Sequence, residues 1–352
     1  MNNSLFYFTS IPFLAFISAA VVGALTPIVR KIAVTLEVWD LPSEAHKTHK
    51  EPVPYLGGLA IMTGVVIVTL FAVLIGGLGF DVIAILLALL IPALFLGVVG
   101  LLDDIFNLSP WSRFLAQTFS GLITSTALVY GNTKGDLFDS ELFNSFVTIL
   151  WIVGICNAVN FLDNIDGGAS GSVAISALFI SILAFTSKQY YVAALSAVVC
   201  GSCLGFLYWN RNPAKIYMGD AGSLFLGVII ATLAIRLDPP VSNREVALLI
   251  PVLLLSLPIL DTTTVVFSRL HRRVSPFRGG RDHLSHRLMF NGISKRQTIL
   301  TLWAFSFSFG VLSMMIVALE TTKTQGAAAI ISMMFWFFLF VKFIKMKFEE
   351  AC

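Results

Sequence analysis

Long apolar runs dominate the chain and constrain its fold more than any other feature. A helix needs about 20 mostly apolar residues to cross a bilayer, and we identify eleven such runs, at 6–28, 57–76, 82–102, 113–130, 142–159, 169–186, 190–208, 222–236, 246–266, 298–319 and 326–344. Only 12% of the 352 residues are charged, whereas soluble domains have about 25%. The sequence therefore predicts an all-α, polytopic membrane protein, and it excludes a soluble enzyme, a disordered chain and a nucleic-acid-binding protein.

The positions of lysine and arginine predict the orientation of these helices. With the N-terminus outside, 18 of the 23 basic residues fall in cytoplasmic segments, as the positive-inside rule requires. The first run is followed, not preceded, by basic residues, which is the reverse of a cleaved signal sequence. Eleven spans then place the C-terminus in the cytoplasm. We expect a single membrane domain over 1–352 with two long cytoplasmic loops, 30–56 and 267–297.

Acidic residues gather at the predicted cytoplasmic ends of the helices. Asp103 and Asp104 are adjacent at the end of the third run, where the helix dipole disfavours negative charge. Such a pair favours a cation site or an acid–base pair over a simple helix cap. Asp220 precedes the eighth run and follows a glycine. Taken alone it is explained as an N-cap, but its neighbourhood favours a functional role.

Two amides and then two acids follow one another at spacings of three near the end of the fifth run, at Asn157, Asn160, Asp163 and Asp166. If the helix continues through them, they form a slowly rotating stripe. A hydrogen-bond cluster between helices is the alternative. The glycines that follow, Gly167 and Gly168, suit a helix start that a ligand approaches closely.

Basic residues and histidines fill the two cytoplasmic loops. His283 and His286 lie among arginines in 267–297, a composition that suits phosphate or diphosphate recognition. No further ligands complete a zinc site, and plain positive-inside topology is the alternative. The first loop adds Lys47, His49 and Lys50. Since Mg²⁺ binds through a few carboxylates and substrate phosphates, the residues indicate Mg²⁺-dependent chemistry on a diphosphate, with a membrane-embedded acceptor.

Five motifs carry a resemblance to a known family: HKTHKEPVPYLGG, LDDIFNLSP, NAVNFLDNIDGGASG, YMGDAGSLFLG and RDHLSHRL. In their order, from about 35 to 300, the chain resembles the polyprenyl-phosphate N-acetylhexosamine-1-phosphate transferases. The resemblance implies transfer of GlcNAc-1-phosphate from UDP-GlcNAc to undecaprenyl phosphate with release of UMP. It also implies a bacterial cytoplasmic membrane, a site facing the cytoplasm, and Mg²⁺ or alternatively Mn²⁺ as cofactor, and it allows a homodimer.

The resemblance also assigns roles to individual residues. Asp103 and Asp104 match the acidic pair of which one member takes the proton of the lipid phosphate. Asp220 and Asn157 match residues associated with the metal. The substrate-binding positions are Lys47, His49, Lys50, Asn160, Asp163, Asp166, Tyr217, His283, His286 and Arg287.

Two motifs favour the GlcNAc-1-phosphate branch of this family over its muramoyl-pentapeptide branch. The segment KEPVPYLGG differs from the KxGTPTMGG-like form, and DHLSHRL lacks three consecutive histidines. Phospho-N-acetylmuramoyl-pentapeptide transfer remains the alternative, and His46 and Tyr55 stand where relatives often have arginine, so the preferred sugar is open. From other classes, an ion-coupled transporter based on Asp261 and a non-catalytic scaffold are alternatives; the acids cluster at one face, which favours the enzyme.

Overall fold

A computed structural model describes residues 3–40, 52–77, 79–129, 140–276 and 279–348. These residues form helices and one short strand pair. The helices are α1 Asn3–Thr35, α2 Gly57–Gly76, α3 Phe80–Phe106, α4 Pro110–Val129, α5 Glu141–Leu162, α6 Gly168–Thr186, α7 Tyr190–Asn210, α8 Gly219–Arg236, α9 Arg244–Leu254, α10 Ser256–His271, α11 Leu284–Phe290, α12 Lys295–Ala318 and α13 Thr322–Lys345. The strands, β1 Trp39–Asp40 and β2 Val53–Pro54, are antiparallel.

The predicted all-α membrane architecture is confirmed. Within the described residues, nine helices are long and apolar enough to cross a membrane, and a tenth span is present if one bent helix pair is counted as one. These nine correspond to nine of the eleven predicted runs. The other two runs, 113–130 and 246–266, are helical as well but depart from a simple span.

The ninth predicted run is broken rather than continuous. Helices α9 and α10 meet at Leu255 with a bend of 78°. Pro258 explains the break, because a proline has no N–H for the carbonyl four residues earlier and its ring clashes with that carbonyl, here Leu254. As a result α10 crosses α5 and reaches the loop that carries the histidines.

The fourth predicted run is a full-length helix with a polar inner face. Helix α4 has 20 residues, enough for about 30 Å, and packs against α3 and α5. Its polar side chains Gln117, Ser120 and Thr124 are buried, whereas Leu115 and Phe119 are exposed. These three buried polar side chains account for part of the low hydropathy of the segment.

Helix α8 lies at the centre of the bundle and is almost wholly buried. Its first turn is reached by two other helices through glycine. A Cβ on Gly100 of α3 would collide with the backbone of Asp220, and a Cβ on Gly58 of α2 with the backbone of Gly222. These close approaches fix the start of α8 at the junction of α2 and α3.

One end of the bundle collects several helix termini. The ends of α3 and α5 and the starts of α4 and α8 meet there and are joined by hydrogen bonds between their side chains. The strand pair docks on the same end: the N–H of Tyr217 donates to the carbonyl of Pro54, and that of Gly57 to the carbonyl of Tyr217, both at 2.9 Å. This end holds most of the predicted site residues.

Candidate active site

The centre of the site is a pair of carboxylates that share one arginine. Nη1 of Arg113, in α4, lies 3.0 Å from Oδ2 of Asp103 and 2.9 Å from Oδ2 of Asp220. The Asp103 side chain is 8% exposed, that of Asp220 24% and that of Arg113 35%. Two partly buried carboxylates at one point repel each other unless a cation lies between them. In the described structure the guanidinium is that cation.

Asp104, the other member of the acidic pair, faces a different partner. Its Oδ1 accepts the backbone N–H of Asp220 at 2.8 Å, and its Oδ2 accepts that of Ala221 at 3.1 Å. Asp104 therefore satisfies N–H groups that a helix start leaves unpaired. Gly219 makes this possible, since its φ is +69° and a Cβ there would collide with the Asp104 carboxylate. Asp220 is thus not the cap of α8, and its side chain is directed to other partners.

Two asparagines of α5 flank the carboxylates. Nδ2 of Asn160 donates to Oδ1 of Asp220 at 2.7 Å and to Oγ of Ser223 at 3.0 Å, which orients the Asp220 carboxylate. Nδ2 of Asn157 donates to Oε1 of Gln117 at 2.7 Å. The amide oxygen of Asn157 receives only a long contact, 3.4 Å, from Gln117 Nε2. Asn157 thus presents an oxygen that a ligand can compete for.

A small cavity lies between α4, α5 and α8. Its walls include Arg113, Asn157, Asn160 and Asp220, and Phe114 lies on its outer side. Its volume of about 60 Å³ matches an ion or a few waters, each of which takes about 30 Å³. Phe114 is 41% exposed, so one wall of the cavity is continuous with the apolar outer surface of the bundle.

Helix α5 ends at Leu162, so the expected stripe does not continue as a helix through Asp163 and Asp166. Asp163 is the residue directly after the helix. Burial, and then the negative charges of Asp220 and Asp104, raise the pKa of Asp163 well above its usual range. A carboxylate in such surroundings is stabilised in its charged form by an added cation.

Asp166 is bound by the protein itself. Its buried carboxylate accepts Nδ2 of Asn212 at 2.8 Å and the N–H of Ala214 at 3.2 Å, and it pairs with Nζ of Lys295 at 2.9 Å. These bonds hold the segment before α8 to the start of α12. The structure therefore favours a supporting role for Asp166 over direct contact with a substrate.

Two tyrosines lie side by side at this end of the bundle. The rings of Tyr55 and Tyr217 are 6.2 Å apart at 55°. Burial, and then the charge of Asp166, raise the pKa of Tyr217; burial and the charge of Asp40 do the same for Tyr55. Both hydroxyls therefore remain protonated, and the pair offers aromatic surface.

The histidine-bearing loop packs beside α5 and α10. Nδ1 of His283 lies 2.8 Å from Oδ2 of Asp261, and the His283 ring contacts Phe161 of α5 at 5.5 Å and 90°. The His286 ring is 5.9 Å from that of His283, and its nitrogens have no hydrogen-bond partner within the described chain. Burial, and then the charge of His283, lower the pKa of His286 to about 4, so this ring is neutral.

Arg287 does not lie in a position to bind substrate in this structure, contrary to the expectation from sequence. It is completely buried. Its guanidinium donates to Oγ of Ser268 and to the carbonyls of Asp282, Phe343 and Met346, at 2.8–3.0 Å. Arg287 therefore joins the histidine loop to α10 and to the end of α13.

A metal at the carboxylate pair is consistent with the donors present. In the part of the chain that is described, no three His, Cys, Asp or Glu side chains form a metal-binding group. However, Asp103 and Asp220 converge on one point that already holds a cationic group, and Asn157 adds an amide oxygen. Mg²⁺ commonly takes only one or two carboxylates plus substrate phosphates, so this set suits it.

The first-loop residues predicted to bind substrate, Lys47, His49 and Lys50, lie outside the described residues. Conversely, the structure brings in residues that were not predicted for the site: Arg113, Gln117, Asp261 and Tyr55. Arg113 was counted only as a topological charge. The available signal was its place in the sequence: Arg113 lies ten residues after Asp103, in the first turn of the next helix.

The chain is also similar to known transferases. A family model described as glycosyl transferase family 4 matches residues 86–238. A probable undecaprenyl-phosphate N-acetylglucosaminyl 1-phosphate transferase of Bacillus subtilis is 35% identical over 95% of this chain and 88% of its own length. A decaprenyl-phosphate N-acetylglucosaminephosphotransferase of Mycobacterium leprae is 32% identical over 82% and 79%. A phospho-N-acetylmuramoyl-pentapeptide-transferase of Bacillus cytotoxicus is 30% identical over 85% and 94%.

Proposed function

The chain belongs to glycosyl transferase family 4, and from that membership we propose that it transfers GlcNAc-1-phosphate from UDP-GlcNAc to undecaprenyl phosphate. The products are undecaprenyl-diphospho-GlcNAc, which initiates a cell-envelope glycan, and UMP. The relatives from Bacillus subtilis and Mycobacterium leprae bear names of this activity. We place the reaction at the cytoplasmic face of a bacterial cytoplasmic membrane, because the positive-inside rule assigns that face to the acid clusters.

The observation that carries the proposal is the convergence of Asp103 and Asp220 on Arg113, beside a cavity that Arg113 and Asp220 line and that has an apolar outer wall. A lipid phosphate needs a cation for its charge and an apolar path for its chain. Arg113 supplies the cation, and the exposed side chains of Trp111 and Phe114 supply apolar surface beside it. Undecaprenyl phosphate therefore enters sideways from the bilayer along α4.

Asp220 and Asn157 would hold Mg²⁺, with Asn160 keeping the Asp220 carboxylate in place. When bound, the metal supplies positive charge that neutralises the diphosphate of the donor. Mn²⁺ has similar oxygen preferences. Asp163, whose pKa is raised by burial and neighbouring carboxylates, would be stabilised by the same added charge.

The proton of the lipid phosphate goes to Asp103. Both oxygens of Asp104 accept the N–H groups of Asp220 and Ala221. Asp103 accepts the N–H of Leu108 through Oδ1 at 2.6 Å and contacts Arg113, a residue of the cavity wall, through Oδ2. The deprotonated phosphate oxygen then attacks the β-phosphorus of UDP-GlcNAc, and the bond to the α-phosphate oxygen breaks, releasing UMP. Tyr217 offers aromatic surface for the uracil, and His283 would donate a hydrogen bond from Nε2–H to the diphosphate.

The test is a reaction with purified protein, labelled UDP-GlcNAc, undecaprenyl phosphate and Mg²⁺. Formation of lipid-linked sugar diphosphate together with UMP is expected, and the absence of both would refute the proposal. Asp220→Ala should be inactive while its helical circular dichroism is unchanged. A protein that keeps substantial activity after this substitution does not use Asp220 for the metal.

Phospho-N-acetylmuramoyl-pentapeptide transfer is the second candidate, because a relative with that name aligns over 85% of the chain. Competition between UDP-GlcNAc and UDP-MurNAc-pentapeptide separates the two. Under our proposal, excess UDP-MurNAc-pentapeptide leaves GlcNAc transfer almost unchanged. Strong inhibition, with pentapeptide appearing in the lipid product, would assign the chain to the second activity.

A further inference from the structure

A buried carboxylate lies directly behind the histidine loop. Asp261, in α10, is completely buried. Its Oδ2 lies 2.8 Å from Nδ1 of His283, and its Oδ1 accepts the backbone N–H of Leu284 at 2.7 Å. Both oxygens therefore face the loop. The bend at Leu255 allows this arrangement, because it brings α10 under the loop.

The contact determines which nitrogen of His283 carries hydrogen. An ionised carboxylate only accepts hydrogen bonds, so Nδ1 of His283 must be the protonated nitrogen. The ring is then left with Nε2 for any other partner. The side chain is 9% exposed and packs edge-on against Phe161, whose ring lines the cavity that contains the Asp220 carboxylate.

A second set of contacts holds the same loop without touching the His283 side chain. Asp282 binds Arg269 through two hydrogen bonds of 2.9 and 2.7 Å and binds Arg272 at 2.8 Å. The loop is thus anchored to α10 next to the histidine by charge pairs. The loop therefore has anchors to α10 besides Asp261.

We propose that Asp261 is a positioning residue for the transfer reaction: it accepts the Nδ1 hydrogen of His283 and fixes the direction of the ring, so that Nε2, which also carries a hydrogen in the doubly protonated ring, donates to the diphosphate of the sugar nucleotide. This inference rests on the proposed function, in which His283 meets the diphosphate. A hydrogen bond from the second ring nitrogen to a carboxylate orients a functional histidine and raises its basicity. Asp261 does not contact the substrate and acts only through the ring.

Asp261→Asn is the informative substitution because asparagine has the same shape. One amide oxygen can still accept the Leu284 N–H, but the NH₂ group then faces Nδ1 of His283. That group donates, so it requires an unprotonated Nδ1; the ring then keeps its one hydrogen on Nε2 and cannot form the doubly protonated cation that faces the diphosphate. Replacement of such an outer partner commonly costs 10–100-fold. We expect kcat to fall by about 10–100-fold, with little change in the KM for UDP-GlcNAc.

The first measurement is ¹⁵N NMR of histidine-labelled full-length protein in detergent, with His283→Gln to assign the signal. Wild type should show a protonated Nδ1 on His283, and Asp261→Asn should show an unprotonated Nδ1. This measurement needs no substrate, so it holds even if the donor differs from UDP-GlcNAc. A bare Nδ1 in wild type, or an unchanged pattern in Asp261→Asn, would overturn the inference.

The second measurement is a double-mutant cycle on kcat. In a His283→Gln background, Asp261→Asn should cause no further loss; an additional loss as large as in wild type would mean that Asp261 acts elsewhere. Asp282→Asn is the matched control, since it weakens the loop anchor while leaving the Nδ1 hydrogen of His283 in place. Inactive wild type would refute the proposed function, whereas active wild type with an unaffected Asp261→Asn would refute only this inference.

Discussion

Asp104 caps the helix that presents Asp220: its carboxylate accepts the Asp220 backbone N–H at 2.8 Å. The neighbouring Asp103 instead shares Arg113 with the Asp220 side chain. Adjacent residues of the same type therefore have separate roles, one at the backbone of α8 and one at the Arg113 guanidinium. Substitution of each should separate these tasks experimentally.

Asp103→Asn should lose activity by at least about 100-fold, the usual contribution of a general base, with little change in thermal stability. Asp104→Asn should lose less activity than Asp103→Asn, because its amide oxygen still accepts one of the two N–H groups that Asp104 binds. Asp104→Ala should lower the free energy of unfolding by about 1–2 kcal/mol. Activity assays and thermal unfolding in detergent measure both. Equal losses of activity for the two asparagine variants, at unchanged stability, would contradict this division.

Arg113→Ala should strengthen the binding of Mg²⁺ to the substrate-free protein. The guanidinium between Asp103 and Asp220 competes with any other cation, and a unit charge at close range is worth roughly 1 kcal/mol even in water. We therefore expect a gain of about fivefold or more in apparent affinity, measured as the Mg²⁺ concentration that raises the melting temperature. Arg113→Lys is the control that keeps the charge. An identical Mg²⁺ dependence in wild type and Arg113→Ala would show that the metal does not bind at this pair.

Much of the fold was predictable because apolar length alone specifies membrane helices. The break at Leu255 was not predicted, although Pro258 is its cause, because prolines also occur in unbroken membrane helices. Helix α4 was identified despite its hydroxyl groups, of which Ser120 and Thr124 are buried whereas Ser112 and Thr126 are exposed. Orientation across the membrane remains a prediction from charge.

The candidate site was predictable as a set of residues but not as a set of roles. The motifs identified Asp103, Asp104 and Asp220, but only coordinates distinguish a carboxylate that caps a helix from one that faces a cavity. Arg287 is a basic residue whose role was likewise not predictable from the sequence. A basic residue in a loop suggests anion binding, yet its donors are taken by backbone carbonyls that come from distant parts of the chain.

His286 should make the protein less stable in mild acid. Burial, together with the charge of His283, lowers the pKa of His286 to about 4, and Asp261, Arg281 and Asp282 are the other charged groups that act on it. In the unfolded chain His286 takes up a proton near pH 6.5, whereas in the folded protein it does so only near pH 4. Stability is therefore unaffected above pH 6.5 and falls as the pH decreases from 6.5 to 4, by up to roughly 3 kcal/mol.

His286→Gln removes this titration. We expect the melting temperature of wild type to fall more between pH 7 and pH 5 than that of His286→Gln, measured by intrinsic fluorescence in detergent. The exposed His271→Gln variant is the control and should follow wild type. Parallel pH profiles for wild type and His286→Gln would mean that His286 is not held neutral in the folded protein.

Arg287→Met should unfold more easily but, where folded, should bind the donor almost normally. The substitution leaves carbonyls of Asp282, Phe343 and Met346 without their donor, and an unpaired buried polar group costs about 1–3 kcal/mol. Burial lowers the pKa of Arg287 to about 10, so the lost group is a charged one at neutral pH. We expect a total loss of about 2–5 kcal/mol in the free energy of unfolding.

Donor binding by the folded Arg287→Met protein should change little, since the guanidinium contacts only protein atoms. The dissociation constant of UDP-GlcNAc, measured well below the melting temperature, should change less than about threefold. Loss of a direct phosphate contact would instead weaken binding by more than about tenfold. Arg287→Lys keeps the charge but not the fork of donors, and it should also be destabilised. A lysine variant as stable as wild type with donor binding weakened tenfold would return Arg287 to the substrate site.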